Sequence, residues 1–340
     1  MISHAWMSKK LDDGRIGCTA CYQMCKLHDG EYGKCGVRFV QNNELKLSVY
    51  GLASSIAIDP IEKKPLYHFL PSSDILSFGT VGCNFSCTFC QNYDISQYPK
   101  EHAHEVFGKE ISPSQMVAIA KQYDVHSIAY TYNEPAVFFE YAYDTAKLAH
   151  EDGLKNVFVT SGYETHEALL KIRPYLDAAN IDLKSFSDDF YQKICGARLK
   201  PVLKCIEDTY AQGIWIELTT LLIEGLTDSD EDIINIAKFI ASLDKNIPLH
   251  LSAFYPRYKM KNTKPTSKET LIKAREIALN EGLKYVYLGN FDDPDMLNSY
   301  CPKCGAVVIK RDGKLGEKSI NLLDDGYCTE CGYKINGVWH

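Results

Sequence analysis

Residues 79–92 read Gly79-Thr80-Val81-Gly82-Cys83-Asn84-Phe85-Ser86-Cys87-Thr88-Phe89-Cys90-Gln91-Asn92. The stretch begins at the end of an apolar, β-branched run, Ile75–Val81, and puts three thiols on one short loop. Three thiolates can hold three irons of a [4Fe–4S] cluster and leave the fourth iron without a protein ligand. An open coordination position marks a reactive metal, whereas a structural metal is fully wrapped. Gly79 and Gly82 are expected to let the loop turn sharply and approach a bulky ligand. The bland alternative is a structural zinc site completed by His68, His102 or His104, a poorer fit to known zinc spacings.

Downstream of this loop, apolar runs alternate with amphipathic stretches as far as Asn290. The runs Ile75–Val81, Ser127–Tyr132, Asn156–Thr160, Ala179–Leu183, Ile214–Ile223, Pro248–Phe254 and Tyr285–Leu288 read as strands. Helical patterns cover Ser114–Tyr123, Val137–Glu151, Glu164–Tyr175, Asp230–Leu243 and Lys268–Glu281. The acidic stretch Thr227–Asp232 supplies an N-cap and first turn for the fourth of these. Glycines 153, 213 and 282 stand where helix C-caps belong. Repeated strand–helix units imply a parallel sheet with helices outside. Six or seven units predict an α/β fold, an incomplete (β/α)6-type TIM-like barrel, with a doubly wound sheet as the runner-up. In such a barrel the loop after a strand opens on the face where active sites sit. Two cysteine-rich flanks break the rhythm. The division is residues 1–70 for an N-terminal four-cysteine segment, 71–297 for the partial barrel and 298–340 for a small ribbon-like appendage. Between them, Pro60-Ile61-Glu62-Lys63-Lys64-Pro65-Leu66-Tyr67-His68-Phe69 carries two prolines and reads as a segment laid across another surface.

The spacing C-x3-C-x2-C, with Phe89 before the last cysteine, resembles the signature of radical S-adenosylmethionine (SAM) enzymes. That resemblance implies a [4Fe–4S] cluster on Cys83, Cys87 and Cys90, with the amino and carboxylate groups of SAM on the free iron. Reduction then cleaves the sulfonium to a 5′-deoxyadenosyl radical that abstracts hydrogen. A zwitterionic cofactor needs an acceptor for its ammonium and donors for its hydroxyls, and the strand ends offer both. Asn133 and Glu134 follow the second strand, Thr160 and Ser161 the third, and Asp182 and Lys184, two apart on one face, the fourth. The core is similar to pyruvate formate-lyase activating enzymes. Asn133-Glu134-Pro135 stands where they have Gly-Gly-Glu-Pro, and Asp182-Leu183-Lys184 matches a SAM-contacting strand. Their sixth strand ends in Pro-Phe-His, where this chain has Ser252-Ala253-Phe254-Tyr255-Pro256-Arg257-Tyr258. The stretches DPIEKKPLYHFLP, GTVGCNFSCTFCQNYDISQ, YTYNEP and YVYLGN, with both cysteine-rich ends, resemble the radical SAM enzyme of the AmmeMemoRadiSam system along the whole chain. This resemblance implies a protein or peptide substrate ahead of a small metabolite, Memo-like proteins as partners, and an electron donor such as flavodoxin or ferredoxin.

Eleven of the thirteen cysteines fall in three clusters, a pattern that in a cytosolic chain reads as metal binding. Cys301-x2-Cys304-Gly305 and Cys328-x2-Cys331-Gly332 form two knuckles of a zinc ribbon, each glycine expected to free an N–H toward sulfur. A rubredoxin-like iron is the alternative there. Cys18-x2-Cys21-x3-Cys25-x9-Cys35 is a second full tetrad, for zinc or an auxiliary iron–sulfur cluster, with a slight lean to zinc. The metal-bearing flanks are expected to shield the barrel mouth. Cys195 and Cys205 read as core or surface thiols. His250 reads as a core histidine rather than one facing the mouth, and Lys63 and Lys64 read as solvated.

Forty-five per cent hydrophobic and 24% charged residues exclude disorder and fibrous repeats. A net charge of −7 without a basic run gives no electrostatic case for nucleic acid. No stretch approaches the ~18 apolar residues of a membrane span, and an N-terminus that turns polar early places the chain in the cytoplasm. Two alternatives stand beside a SAM-cleaving enzyme that acts on protein: a non-catalytic iron–sulfur carrier or scaffold, and an RNA-modifying radical SAM enzyme.

Overall fold

In the computed structural model, which describes residues 2–291, 293–311, 318–323 and 325–340, an eight-stranded sheet organises the chain. Its strands are β1 (Ser55–Pro60), β2 (Asp74–Gly79), β3 (Ser127–Tyr130), β4 (Lys155–Thr160), β5 (Ala178–Asp182), β6 (Trp215–Leu222), β7 (Leu249–Ala253) and β8 (Val286–Gly289). They lie side by side in chain order. β1 is antiparallel to β2, and every later junction is parallel. A helix crosses each parallel junction: α1 (Pro113–Gln122), α2 (Phe139–Glu151), α3 (His166–Ile172), α4 (Leu199–Ala211), α5 (Asp230–Leu243) and α6 (Lys268–Asn280). A doubly wound sheet reverses its strand order in the middle. This one never reverses, and β1 and β8 remain unpaired with each other. The sheet is therefore an open barrel of six strand–helix units plus one further parallel strand, as the alternation predicts.

Local chemistry accounts for most boundaries. Ser229 accepts from Asp232 N–H and three acids fill the first turn of α5, where they meet the positive end of the helix dipole. Every residue of β3 is buried, as a strand covered on both faces requires. α4 has no counterpart among the helices read from periodicity. Pro201 interrupts its pattern, yet the proline lies in the first turn, where its missing N–H costs no helical bond. The stripe Leu199, Val202, Cys205 and Ile206 is buried as an amphipathic helix demands.

The segment between β1 and β2 plugs the floor of the barrel, the end from which the parallel strands start. Ile61, Leu66 and Phe69 are buried against the inward side chains Ile75, Ala129, Val157 and Ala178. Each such burial stabilises by about 1.5–3 kcal/mol. The plug is held by a buried carboxylate: Glu217 of β6 accepts from Tyr67 N–H (2.9 Å) and His68 N–H (2.7 Å). His250 of β7 shares a 2.7 Å hydrogen bond with the same acid, so it is a core histidine at the floor and not a mouth residue. Lys63 is half-exposed and paired with Asp59. Lys64 departs from the solvated expectation: it is buried, pairs with Asp59 at 3.2 Å and sits 5.0 Å from the ring centroid of Tyr132.

The two flanks occupy opposite ends. The C-terminal ribbon packs under the floor, on Tyr67, Tyr285 and Tyr287. Val338 pairs with Phe69, and His68 is held between Asn336 O and Tyr287 Oη. The ribbon therefore does not shield the mouth, because its described contacts are with the plug and the start of β8. Residues 312–317 and 324 of this appendage lie outside the described residues. The N-terminal segment does reach the mouth. Tyr22 N–H bonds Tyr163 O, and the Thr165 hydroxyl bonds Thr19 O, on the loop after β4. Arg38 ties the same segment to α2 through a buried ion pair with Glu140 and a bond to Val137 O.

Candidate active site

The mouth opens into a cleft of about 260 Å³. Cys83, Cys87 and Cys90 line it, together with Asn133, Glu134, Thr160, Ser161, Asp182 and Lys184. Every candidate from the three-cysteine loop and the strand ends thus faces one space. Each arrives at the carboxyl end of a strand, because β2 to β5 are parallel and deliver their following loops to the same rim.

The cysteine loop is clamped before it reaches the cleft. Asn133 Oδ1 accepts from Thr80 N–H, and Asn133 Nδ2 donates to Thr80 Oγ1 and Gly82 O. The amide of Asn133 is thereby committed to the loop. On the other side, Ser86 N–H and Thr88 N–H bond Cys195 O and Ile194 O. The two glycines serve protein packing rather than a ligand. A Cβ on Gly79 would lie 2.3 Å from Thr131 O, and one on Gly82, whose φ is +92°, would lie 2.8 Å from Cys35 O. Tyr132 also carries an unusual backbone, with φ of +69°, and Asn92 Nδ2 holds its carbonyl at 2.8 Å. Such strain in an aromatic residue persists only where its surroundings fix it.

Glu134 is the electrostatic centre of the cleft. It is buried, and its Oε1 accepts from Ser161 N–H at 2.8 Å. Its Oε2 lies 3.0 Å from Thr160 Oγ1, which lies 2.8 Å from Glu164 Oε1. One hydroxyl proton cannot serve two carboxylates, so one of the two acids carries a proton and donates to Thr160. Burial, then the neighbouring Glu164, pushes the Glu134 carboxyl up to about 8. No cationic side chain forms an ion pair with it among the described residues. Across the cleft, Lys184 Nζ pairs with Asp182 at 2.7 Å. Burial opposes charge on Lys184, yet the Asp182 carboxylate raises its pKa overall.

None of the histidines that a zinc reading of the loop needs is available. His68 is at the floor, His102 faces solvent against Tyr98 O, and His104 stacks on Tyr32. Thr219, Leu221, Ser252 and Asn290 also line the cleft and were not among the residues singled out as ligands. Their signal was alternation: Thr219 and Leu221 stand two apart on β6, on the inward face that Glu217 shares.

The three cysteine clusters differ in geometry. The Cys301–Cys331 and Cys304–Cys328 sulfurs are 3.6 and 3.8 Å apart. Four thiolates at 2.3 Å around a tetrahedral zinc are about 3.8 Å apart, so this tetrad fits a single metal ion. The Gly305 and Gly332 N–H groups turn to Cys301 O and Cys328 O rather than to sulfur, closing each knuckle through its backbone. Among the described residues, this is the one set of three or more potential metal donors gathered within 4.8 Å. The sulfurs of Cys83, Cys87 and Cys90 are spread more widely, as a cluster that binds each thiolate to a different iron requires. Their number, their width and the cleft beside them fit a three-cysteine [4Fe–4S] site with room for an organic ligand. Cys195 is buried behind this loop, and Cys205 donates to Glu164 at 3.6 Å, so neither reaches the cleft.

Comparison with known proteins follows the same lines. Residues 78–240 match the Radical SAM superfamily. An uncharacterized protein of Methanocaldococcus jannaschii is 43% identical over 336 residues, covering 98% of this chain and 99% of its own. The pyruvate formate-lyase-activating enzyme of Clostridium pasteurianum is 25% identical over 173 residues, 48% of this chain and 67% of that one. In fold, the chain resembles Streptococcus suis SuiB bound to S-adenosylmethionine, with a TM-score of 0.51 at 12% identity over 68% of this chain and 53% of that one. No described helix is long and apolar enough to cross a membrane.

Proposed function

We propose that this chain, whose residues 78–240 match the Radical SAM superfamily, cleaves SAM reductively and abstracts hydrogen from a protein or peptide substrate. The observation that carries this reading is the meeting, in one cleft, of three widely spaced cysteines with a buried, uncompensated carboxyl group. Cys83, Cys87 and Cys90 would hold a [4Fe–4S] cluster, which when reduced would supply the one electron that reductive cleavage of SAM needs.

The chain's own residues prepare for that cofactor. Glu134, aimed by Ser161 N–H and Thr160, offers its Oε atoms to the SAM ammonium. Loss to solvent of the proton shared by the Glu134–Glu164 pair would leave Glu134 anionic for that ammonium. Asp182 keeps Lys184 charged, so that its ammonium meets the cofactor's carboxylate while Asp182 itself remains free to accept from a ribose hydroxyl. Val159 and Leu221 give the cleft apolar wall area for the adenine. Asn133 acts as a positioning residue, because its amide is spent on Thr80 and Gly82. A primary-carbon radical formed there would quench unless water were kept from the cleft and the target held close.

The resemblance to the AmmeMemoRadiSam enzyme supports a protein substrate of the Memo-like kind and a flavodoxin or ferredoxin as reductant. Cytoplasmic residence accords with thiol-rich metal sites. A pure electron carrier leaves the uncompensated Glu134 without a purpose. The test is anaerobic reconstitution with iron and sulfide, then dithionite and SAM. Equal amounts of 5′-deoxyadenosine and methionine are expected; a cluster that reduces and reoxidises with SAM intact refutes the reading. Deuterium passing from a labelled candidate protein into 5′-deoxyadenosine would identify the substrate.

A further inference from the structure

We propose that Cys18, Cys21, Cys25 and Cys35 hold an iron–sulfur cluster, not the zinc toward which their spacing leans, and that this second redox centre lies one side chain from the three-cysteine loop. Both sequence tetrads offer four thiols, but the structure arranges them differently. The C-terminal sulfurs have closed to the separation that a single zinc sets. The N-terminal four line one small cavity together with Gly33 and Asn84, and no three of them lie within 4.8 Å of one another. Gly33 wedges between two of them, since a Cβ there would be 3.6 Å from Cys25 Sγ and 3.8 Å from Cys35 Sγ. A single ion pulls all its sulfurs to one bond length, whereas a cluster binds thiolates through separate irons and holds them apart. The wide spread is the feature this tetrad shares with Cys83, Cys87 and Cys90.

Two side chains on the cavity wall bear on such a cluster. Arg38 is buried there, its charge paired with Glu140. Asn84 is 2% exposed, lines the cavity, and has no oxygen partner for its amide nitrogen, which is turned toward the Cys21 thiol. Its N–H is thus placed to donate to a ligand sulfur of the cluster. Asn84 also joins the two centres: its Oδ1 lies 3.8 Å from Cys83 Sγ. Gly82 packs against Cys35 O from the same loop. On its outer side the tetrad approaches solvent through the partly exposed Cys25 and the exposed Lys34.

The test counts acid-labile sulfide, which neither zinc nor a rubredoxin-like iron in the ribbon contributes. The full chain is purified and reconstituted without oxygen, beside the full-length variant Cys83→Ala/Cys87→Ala/Cys90→Ala. That variant is expected to keep about four sulfides per chain for a [4Fe–4S] cluster, or about two for [2Fe–2S], with an EPR signal on dithionite reduction. A variant free of sulfide, with a second zinc per chain, overturns the proposal and leaves the three-cysteine reading standing. Should the variant fail to fold by circular dichroism, the wild-type count decides. More than the four sulfides of one cubane supports the second cluster, and about four with two zincs overturns it. If the variant instead loses no sulfide at all, the second cluster stands and the three-cysteine reading falls.

Discussion

The two ends of the barrel each bury a glutamate, and the two acids are handled in opposite ways. At the floor, burial alone would raise the Glu217 carboxyl, but His250 and the N–H groups of Tyr67 and His68 bring it below the ordinary range. It is a finished site: every lone pair has a partner, and the plug is fastened by it. At the mouth, Glu134 receives one backbone N–H and shares one hydroxyl with a second acid, so its carboxyl is pushed up to about 8. On the proposed reading it is completed by a cation. One buried acid then maintains structure and the other binds, and the partners around each, not the burial, make the difference.

The sharpest way to test this division is to empty the mouth. Cys83→Ala/Cys87→Ala/Cys90→Ala should lower 5′-deoxyadenosine formation at least about a thousandfold, since on the proposed reading these three residues hold the cluster that cleaves SAM. The urea midpoint of the metal-free chain should barely move. A large loss of stability would mean that the loop is as structural as the floor. Glu217→Ala should do the reverse. Removing one partner of a buried, fully bonded set leaves His250 and two backbone N–H groups unpaired, at a cost of about 3–5 kcal/mol in urea unfolding. Reconstituted protein that remains folded should still cleave SAM. Comparable stability of wild type and variant would show that the plug is held by its apolar contacts alone.

The mouth was more legible in the sequence than the floor, for a physical reason. Metal ligands must be cysteines at short spacings, and strand-end polar residues stand out against the apolar runs that precede them. Cys83, Glu134, Ser161 and Lys184 could all be picked before any fold was known. Glu217 gave no such signal. In Trp215-Ile216-Glu217-Leu218 it reads as a surface position of a strand, and its partners come from 33 residues downstream and 150 upstream. Lys64 was misread in the same way, because its burial depends on a plug that only the closed sheet creates. The tetrads were legible as metal sites but not as different ones. Identity of the metal is written in sulfur separation, which depends on how the surrounding loops close.

A smaller effect probes the mouth without dismantling it. Glu134→Gln keeps the size and most hydrogen bonds of the side chain but cannot become an anion. It should weaken SAM binding to the reconstituted protein roughly 10- to 100-fold, the worth of one charge-assisted hydrogen bond. The stability of the free chain should stay level or rise, because a strained acid pair is relieved. The opposite pattern, unchanged affinity with lost stability, would make Glu134 a second Glu217.

The mildest probe is pH, and the two acids predict opposite signs. Glu217 is held below its unfolded value, so its contribution is present above about pH 4.3 and is lost as pH falls through its folded pKa. Glu134 is raised, so between about pH 4.3 and about 8 the folded chain keeps a proton that the unfolded chain has released. Stability of the free chain should therefore decline as pH rises through that window and level off above it. Binding of an ammonium runs the other way, since it requires the anion and expels the proton. Affinity for SAM should rise about fivefold between pH 7 and pH 8 in the wild type and stay flat in Glu134→Gln, the titration of SAM itself being common to both. Parallel profiles would remove Glu134 from the ammonium site. A wild-type rise that vanishes in the variant would show that the mouth acid is completed by its ligand, as the floor acid is completed by the fold.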